Sequence, residues 1–230
     1  MTRRLSRQRD KTLDRMKHPA EITTLFLDIG GVLLTDGWSH ISSKLVAKAF
    51  GLNFEELNKR HHDALDTYEL GKLTIEEYLR LVVFHRKRPF TPAQFRKFMY
   101  AQSKPYPQMI GLVRRLKAQY GLKIIVVSNE GHGLNEYRIR KFKLDEFVDC
   151  FISSCFVHLR KPDTDIFRVA LDTAQVSADQ VIYIENTPMF VQVAEGLGIR
   201  SILHTGYKST CAKLASFGLR NEEGIIHEAL

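Results

Sequence analysis

Five short apolar, β-branched runs punctuate the chain: Ile22–Leu27, Lys123–Ser128, Phe147–Ser153, Val181–Glu185 and Ser201–His204. None alternates cleanly between apolar and polar positions, which is the pattern of parallel strands covered on both faces. Between the later runs the period lengthens to that of a helix. Met109, Leu112, Val113, Leu116 and Tyr120 share one face, and their segment stops at Gly121, a natural C-terminal cap. Residues 164–174 place Ile166, Phe167, Ala170 and Leu171 together, and Thr187–Leu197 opens on a Thr cap with Pro188 at the first helical position. Strands alternating with helices predict an α/β fold, a Rossmann-like open parallel sheet of about five core strands joined by right-handed crossovers.

The stretch between the first two runs is too long for one crossover helix. From Trp38 to Ser103 it reads as several helices without a strand, and both Thr74-Ile-Glu-Glu77 and Thr91-Pro-Ala-Gln94 are capping boxes. Lys104-Pro-Tyr-Pro107 marks the return, because two prolines resist helix continuation. The expected organisation is a basic N-terminal arm over residues 1–20, an α/β core from 21–37 and 104–230, and an all-helical cap inserted at 38–103.

Composition changes this picture little. A chain of 230 residues with 44% hydrophobic and 26% charged residues is an ordinary globular one. Five of its eight net positive charges sit in residues 1–20, so a basic leader precedes a nearly balanced body. With no base-reading module, nucleic acid is not an expected partner. No apolar run approaches the ~20 residues that span a bilayer, and the opening MTRRLSRQRD lacks the apolar core of a secretory signal. Cys150, Cys155 and Cys211 have no metal or disulfide spacing. A cytoplasmic protein without a membrane partner is the expectation.

Ligands of open α/β sheets bind outside the carboxyl ends of the strands. At those ends stand Asp28, then Ser128-Asn129, then Arg160-Lys161 after the third run, then Glu185-Asn186. A carboxylate, a hydroxyl and an ammonium on one rim could serve as nucleophile, donor and countercharge for an anionic substrate. Phe26-Leu-Asp-Ile-Gly-Gly-Val-Leu33, Val127-Ser-Asn129, Arg160-Lys-Pro-Asp-Thr-Asp-Ile-Phe167 and Ile184-Glu-Asn186 resemble the four ordered motifs of the haloacid dehalogenase (HAD) superfamily of hydrolases. The helical insert resembles the C1 cap of its subclass I members.

That resemblance implies roles by position. Asp28 would attack the substrate and form a covalent aspartyl intermediate, an aspartyl phosphate in the phosphatase branch. Ser128, Asn129 and Lys161 would bind the transferring group, with Lys161 neutralising charge. Mg²⁺ would be held by Asp28, the main-chain carbonyl of Gly30, and the fourth motif through Asn186 and Glu185. The implied substrate is a small phosphorylated metabolite.

Two departures from the family pattern keep alternatives open. Gly30 stands where family phosphatases usually carry a second Asp that protonates the leaving group, and a lost general acid typically costs ~10²–10⁴ in rate. Asn186 stands where an acid usually meets the metal. Haloacid dehalogenases work without metal and carry an Asn in the fourth motif, but also an Asp three residues beyond, where this chain has Met189. Phosphonate cleavage would need a cap lysine, for which Lys44, Lys48, Lys59 and Lys72 are available, with surface charge the simpler reading of each. A degenerate member that binds a ligand without turnover is the further alternative.

Other residues read less sharply. His61, His62 and Asp63 are adjacent, so they fan out by about 100° each on a helix and are expected on a solvated cap face. Trp38 and His40 follow the first motif and could line the substrate entrance. Gly71 is expected to end a helix, with Glu69 facing the site. His132 is the nearest candidate to replace the missing acid.

Overall fold

The structure, a computed structural model, describes residues 20–38 and 40–221. The basic arm of residues 1–20 falls outside them except for Ala20, and the side chain of His40 is likewise not described. Five strands form one sheet: β1 (Thr24–Leu27), β2 (Lys123–Ser128), β3 (Cys150–Ser153), β4 (Val181–Glu185) and β5 (Arg200–Leu203). Their order is β3-β2-β1-β4-β5 and every neighbouring pair is parallel.

Helices α1 (His40–Phe50), α2 (Phe54–Glu69), α3 (Ile75–Val82) and α4 (Pro92–Ala101) form the cap between β1 and the core helix α5 (Pro107–Tyr120). The core continues with α6 (His132–Lys141), the single turn α7 (Ser154–Val157), α8 (Thr164–Ala174), α9 (Pro188–Gly196) and α10 (Tyr207–Ser216).

The continuous apolar character of the strands follows from burial on both sides. Leu25, Leu27, Ile124, Val126, Ile182 and Ile184 pack with Met109, Leu112, Val113 and Leu116 of α5. The alternate residues Phe26, Ile125, Val127 and Tyr183 pack with Ile166, Phe167 and Ala170 of α8 on the other face. The cap has its own core of Leu57, Tyr68, Tyr78, Phe95 and Met99, which Trp38 from the linker and Leu134 from α6 join. No helix among the described residues is long and apolar enough to cross a membrane.

Several boundaries move. The expected third strand began at Phe147, whereas β3 begins at Cys150. Phe147 and Val148 instead pack beside α5, and the Asp149 carboxylate accepts from Ile124 N at 2.8 Å, which turns the chain into the sheet. β5 starts and stops one residue earlier than expected. Both capping boxes form, at Thr74 and Thr91. Thr187 takes the N-cap position of α9 without a side-chain hydrogen bond; Glu185 accepts from its N–H at 2.9 Å instead.

His61 overturns its expectation. His62 and Asp63 are exposed, but His61 is buried, because Leu57, His61, Ala64 and Tyr68 recur as the inward stripe of α2. Its Nδ1 lies 2.6 Å from Tyr78 Oη, which also accepts from Trp38 Nε1 at 2.7 Å. Burial, with some help from His62, lowers its pKa to about 4, so the ring is neutral and accepts a hydrogen bond from the tyrosine hydroxyl.

Candidate active site

β1 sits at the middle of the sheet, with β2 on one side and β4 on the other. The chain leaves these two neighbours in opposite directions, so a crevice opens above the carboxyl end of β1. Asp28 is the first residue beyond that end, its N–H donating to Ile184 O at 3.1 Å. The next turn is tight. Gly31 has φ 72°, and a Cβ there would lie 2.0 Å from the Asn186 carboxamide, so glycine both allows the turn and leaves room for the Asn186 side chain.

A cavity of about 270 Å³ lies over Asp28, with Ser128, Asn129 and Lys161 on its core side. Lys161 is 1% exposed, and its ammonium is 3.1 Å from Asp28 Oδ1 and 2.6 Å from Glu185 Oε2. It also donates to Tyr183 Oη at 3.1 Å and rests over the Phe190 ring at 5.0 Å from the centroid. Burial disfavours its charge, but Asp28 and Glu185 outweigh burial and its pKa rises. Asp28 is pushed up to about 7, chiefly by burial, against the pull of Lys161 and a hydrogen bond from Ser128. The carboxylates of Glu185 and Glu130 add to the upward push. The arrangement is a buried carboxylate whose ionised form gains from every added positive charge.

The cap roofs this cavity with Trp38, Leu65, Tyr68 and Glu69. Glu69 is anchored from the core by Arg160, which donates to its Oε2 from Nη2 at 2.7 Å and from Nε at 3.1 Å. Arg160 also pairs with Asp66 at 2.6 Å. Burial raises the pKa of Glu69 in spite of that partner.

A family model described as haloacid dehalogenase-like hydrolase matches residues 22–198. The chain belongs to this family. Among solved structures it is similar to the HAD family enzyme BT-2542 from Bacteroides thetaiotaomicron, with a TM-score of 0.68 at 20% identity over 80% of this chain and 93% of that one. BT-2542 is also known in complex with magnesium and inorganic phosphate. A HAD-like family hydrolase from Porphyromonas gingivalis superposes with a TM-score of 0.65 at 19% identity, covering 85% of this chain and 98% of the other. The L-2-haloacid dehalogenase from Xanthobacter autotrophicus with chloropropionic acid covalently bound gives 0.57 at 14% identity, covering 87% and 85%. No curated protein matches the sequence.

Within this HAD-like hydrolase, Asp28, Ser128 and Lys161 line one cavity, and two other expected residues are engaged by the protein itself. The Asn129 carboxamide brackets the main chain of Lys161, accepting from its N–H at 2.8 Å and donating to its carbonyl at 2.9 Å. It positions Lys161, and its second N–H and second lone pair remain for a ligand in the cavity that it lines. Glu185 is fully buried beneath Lys161. Its Oε2 takes Lys161 and Tyr183, and its Oε1 takes the N–H groups of Asn186 and Thr187 at 2.9 Å each. The expected metal contact of Glu185 is therefore corrected, since both oxygens are saturated by internal donors.

Asp28, the Gly30 carbonyl and Asn186 do line one cavity. The Asn186 carboxamide ends against Gly30 O and Glu185 Oε1, and with its NH₂ turned toward them it donates at 3.3 and 2.8 Å. A 3.3 Å bond is long, which leaves the Gly30 carbonyl under-satisfied at the cavity wall. Among the described residues no group of three or more His, Cys, Asp or Glu side chains forms a metal cluster. Hard oxygen donors carrying one formal charge fit a weakly held Mg²⁺ that keeps waters and shares substrate oxygens.

His132 turns onto Phe156, ring centroids 4.8 Å apart, and does not line the cavity. Lys44, Lys48, Lys59 and Lys72 are exposed and away from it, Lys59 being paired with Asp63. The residues missed by sequence reasoning are Arg138 and Asp36. Arg138, 1% exposed on α6, pairs with Glu130, donates to Thr35 O at 2.7 Å and to Ser103 Oγ at 3.1 Å, and so ties both chain crossings between core and cap. Nothing local in the sequence distinguishes it from Arg140.

Proposed function

We propose that this HAD-like hydrolase is a phosphatase that cleaves a small phosphomonoester through an aspartyl phosphate on Asp28. The observation that carries the reading is the buried Asp28–Lys161 contact of 3.1 Å at the floor of a cavity of about 270 Å³. Phosphoryl transfer needs mainly positioning and charge neutralisation. An Asp28 oxygen adds to phosphorus, while Lys161, held by Glu185 and by the Asn129 bracket, stands beside it to neutralise the equatorial oxygens. The Ser128 hydroxyl donates to the same region. Mg²⁺, when bound by Asp28, the Gly30 carbonyl and the Asn186 carboxamide, would add neutralising charge and favour the ionised form of Asp28. The magnesium and phosphate of the BT-2542 complex support that assignment.

The cavity volume suits a small metabolite better than a polymer. The cap, through Trp38, Tyr68 and Glu69, would close over the leaving group and exclude water. A cytoplasmic setting is part of the proposal and rests on three free cysteines without metal or disulfide spacing. Dehalogenation is less well supported, because Met189, at the position where dehalogenases carry an acid, is 58% exposed and offers no base for ester hydrolysis.

The test is turnover of p-nitrophenyl phosphate with and without Mg²⁺. Mg²⁺-stimulated release that falls to background in Asp28→Asn is expected. A wild-type protein inert toward every phosphate ester would refute the reading, and halide release from a haloacid would replace it with the dehalogenase.

A further inference from the structure

Gly30 leaves the leaving-group oxygen without its usual proton donor, and the backbone is not the reason. Unlike Gly31, Gly30 has no left-handed φ, and a Cβ built on it would meet nothing closer than 3.4 Å. That nearest atom is Asp36 Oδ1, with the Asp36 Cα next at 3.5 Å. The space into which a side chain at residue 30 would grow is therefore bordered by the carboxylate of Asp36. Asp36 lines the same cavity as Asp28 and Lys161.

The position is built. The loop after Asp28 folds back on itself through Gly31 N–H to Leu34 O at 2.7 Å and Leu34 N–H to Ile29 O at 2.9 Å. Thr35, the neighbour of Asp36, is held from three sides: its N–H by Lys104 O, its hydroxyl by Gln102 O, and its carbonyl by the buried Arg138. On the other side Trp38 N–H donates to Asp36 O at 2.6 Å. The main chain is fixed while the Asp36 carboxylate, exposed, has no ion pair or hydrogen bond with any described residue. An Asp-Gly pair is also a common turn former, but turn formation does not require its carboxylate to stand beside Gly30 in the cavity that holds the nucleophile.

We propose that Asp36 is the catalytic acid–base residue for the leaving group, supplying from further along the same loop the carboxyl that Gly30 lacks. The inference rests on the phosphatase reading. As the Asp28 oxygen bonds to phosphorus, the P–O bond to the leaving group breaks. Its electron pair stays on that oxygen, which takes the proton of the Asp36 carboxyl. In the second half, a water oxygen bonds to phosphorus and the Asp28–phosphorus bond breaks, the pair returning to Asp28. The water proton passes to the Asp36 carboxylate, so the cycle consumes one ester and one water and restores both residues.

A series of substituted phenyl phosphates with leaving groups of rising pKa tests this. Wild type should show a shallow dependence of kcat/KM on leaving-group pKa. Asp36→Asn should steepen it, losing little on p-nitrophenyl phosphate and roughly 10²-fold or more on the poorest leaving group. Gly30→Asp combined with Asp36→Ala should flatten it again, and unchanged melting temperatures would show that the variants fold. Parallel slopes for wild type and Asp36→Asn, or a uniform drop across the series, would overturn the assignment while leaving the phosphatase reading intact. Failure of wild type on the whole series would remove both.

Discussion

Lys161 keeps its charge in the interior because two carboxylates share it, Asp28 in the cavity and Glu185 beneath. Removing one member of a buried ionic group usually costs about 3–5 kcal/mol, because the remaining charges lose their partner. Lys161→Met should therefore lower unfolding free energy by roughly that amount in urea titration, besides abolishing turnover; a change below about 1 kcal/mol would contradict a buried ionic group centred on Lys161. Asn186 makes a complementary prediction. Asn186→Asp replaces a donor to Glu185 Oε1 by a carboxylate, so the protein should melt lower without Mg²⁺. The same variant should show a larger Mg²⁺-induced rise in melting temperature than wild type, and equal shifts would argue against Asn186 as a ligand. At this scale the sequence was half legible. Asp28, Ser128 and Lys161 end up where strand-end logic puts them. The internal bonding of Glu185 and Asn129 was not legible, because it depends on which way each side chain turns after its strand.

Among the elements, α2 shows how an inward stripe can include a polar residue. His61 occupies the stripe with Leu57, Ala64 and Tyr68, and its bond to Tyr78 fixes the hydroxyl that holds Trp38 at the cavity wall. Its folded pKa of about 4 lies below the ordinary 6.5, so protons bind the unfolded chain better. The contribution of His61 is intact above pH 6.5 and is lost as pH falls toward 4, at ~1.4 kcal/mol per pH unit and about 3 kcal/mol in all. Denaturant unfolding of wild type between pH 7 and 4 should show this extra acid loss. His61→Phe should start less stable at neutral pH but fall less steeply, and parallel curves would contradict a neutral buried imidazole. Helical periodicity alone places His61 inward; adjacency to His62 and Asp63 suggested solvent and was the weaker signal. The capping boxes at Thr74 and Thr91 were legible because they are local, whereas the start of β3 was not, since Phe147 and Val148 are as apolar as a strand and pack beside a helix instead.

Across the molecule, core and cap meet through contacts that no local pattern encodes. Arg160 reaches Glu69 and Asp66 of α2, His158 Nδ1 lies 2.8 Å from Leu70 O, and Arg138 ties the two linkers. Gly71, expected only as a helix end, also permits this docking, since a Cβ there would lie 2.1 Å from Cys155 O. The sheet order and the rim of strand ends were readable because alternating strands and helices allow few topologies. The partners of the cap were not, because each joins residues distant in sequence. Of these residues, Glu69 and Arg138 line the cavity above Asp28, whose chemistry is the central claim. Rapid quench of the protein with p-nitrophenyl phosphate, followed by peptide mass analysis, tests it most directly. One phosphoryl group on the peptide containing Asp28, absent in Asp28→Asn, is the predicted result; turnover with no adduct at Asp28, or an adduct on another residue, would contradict it.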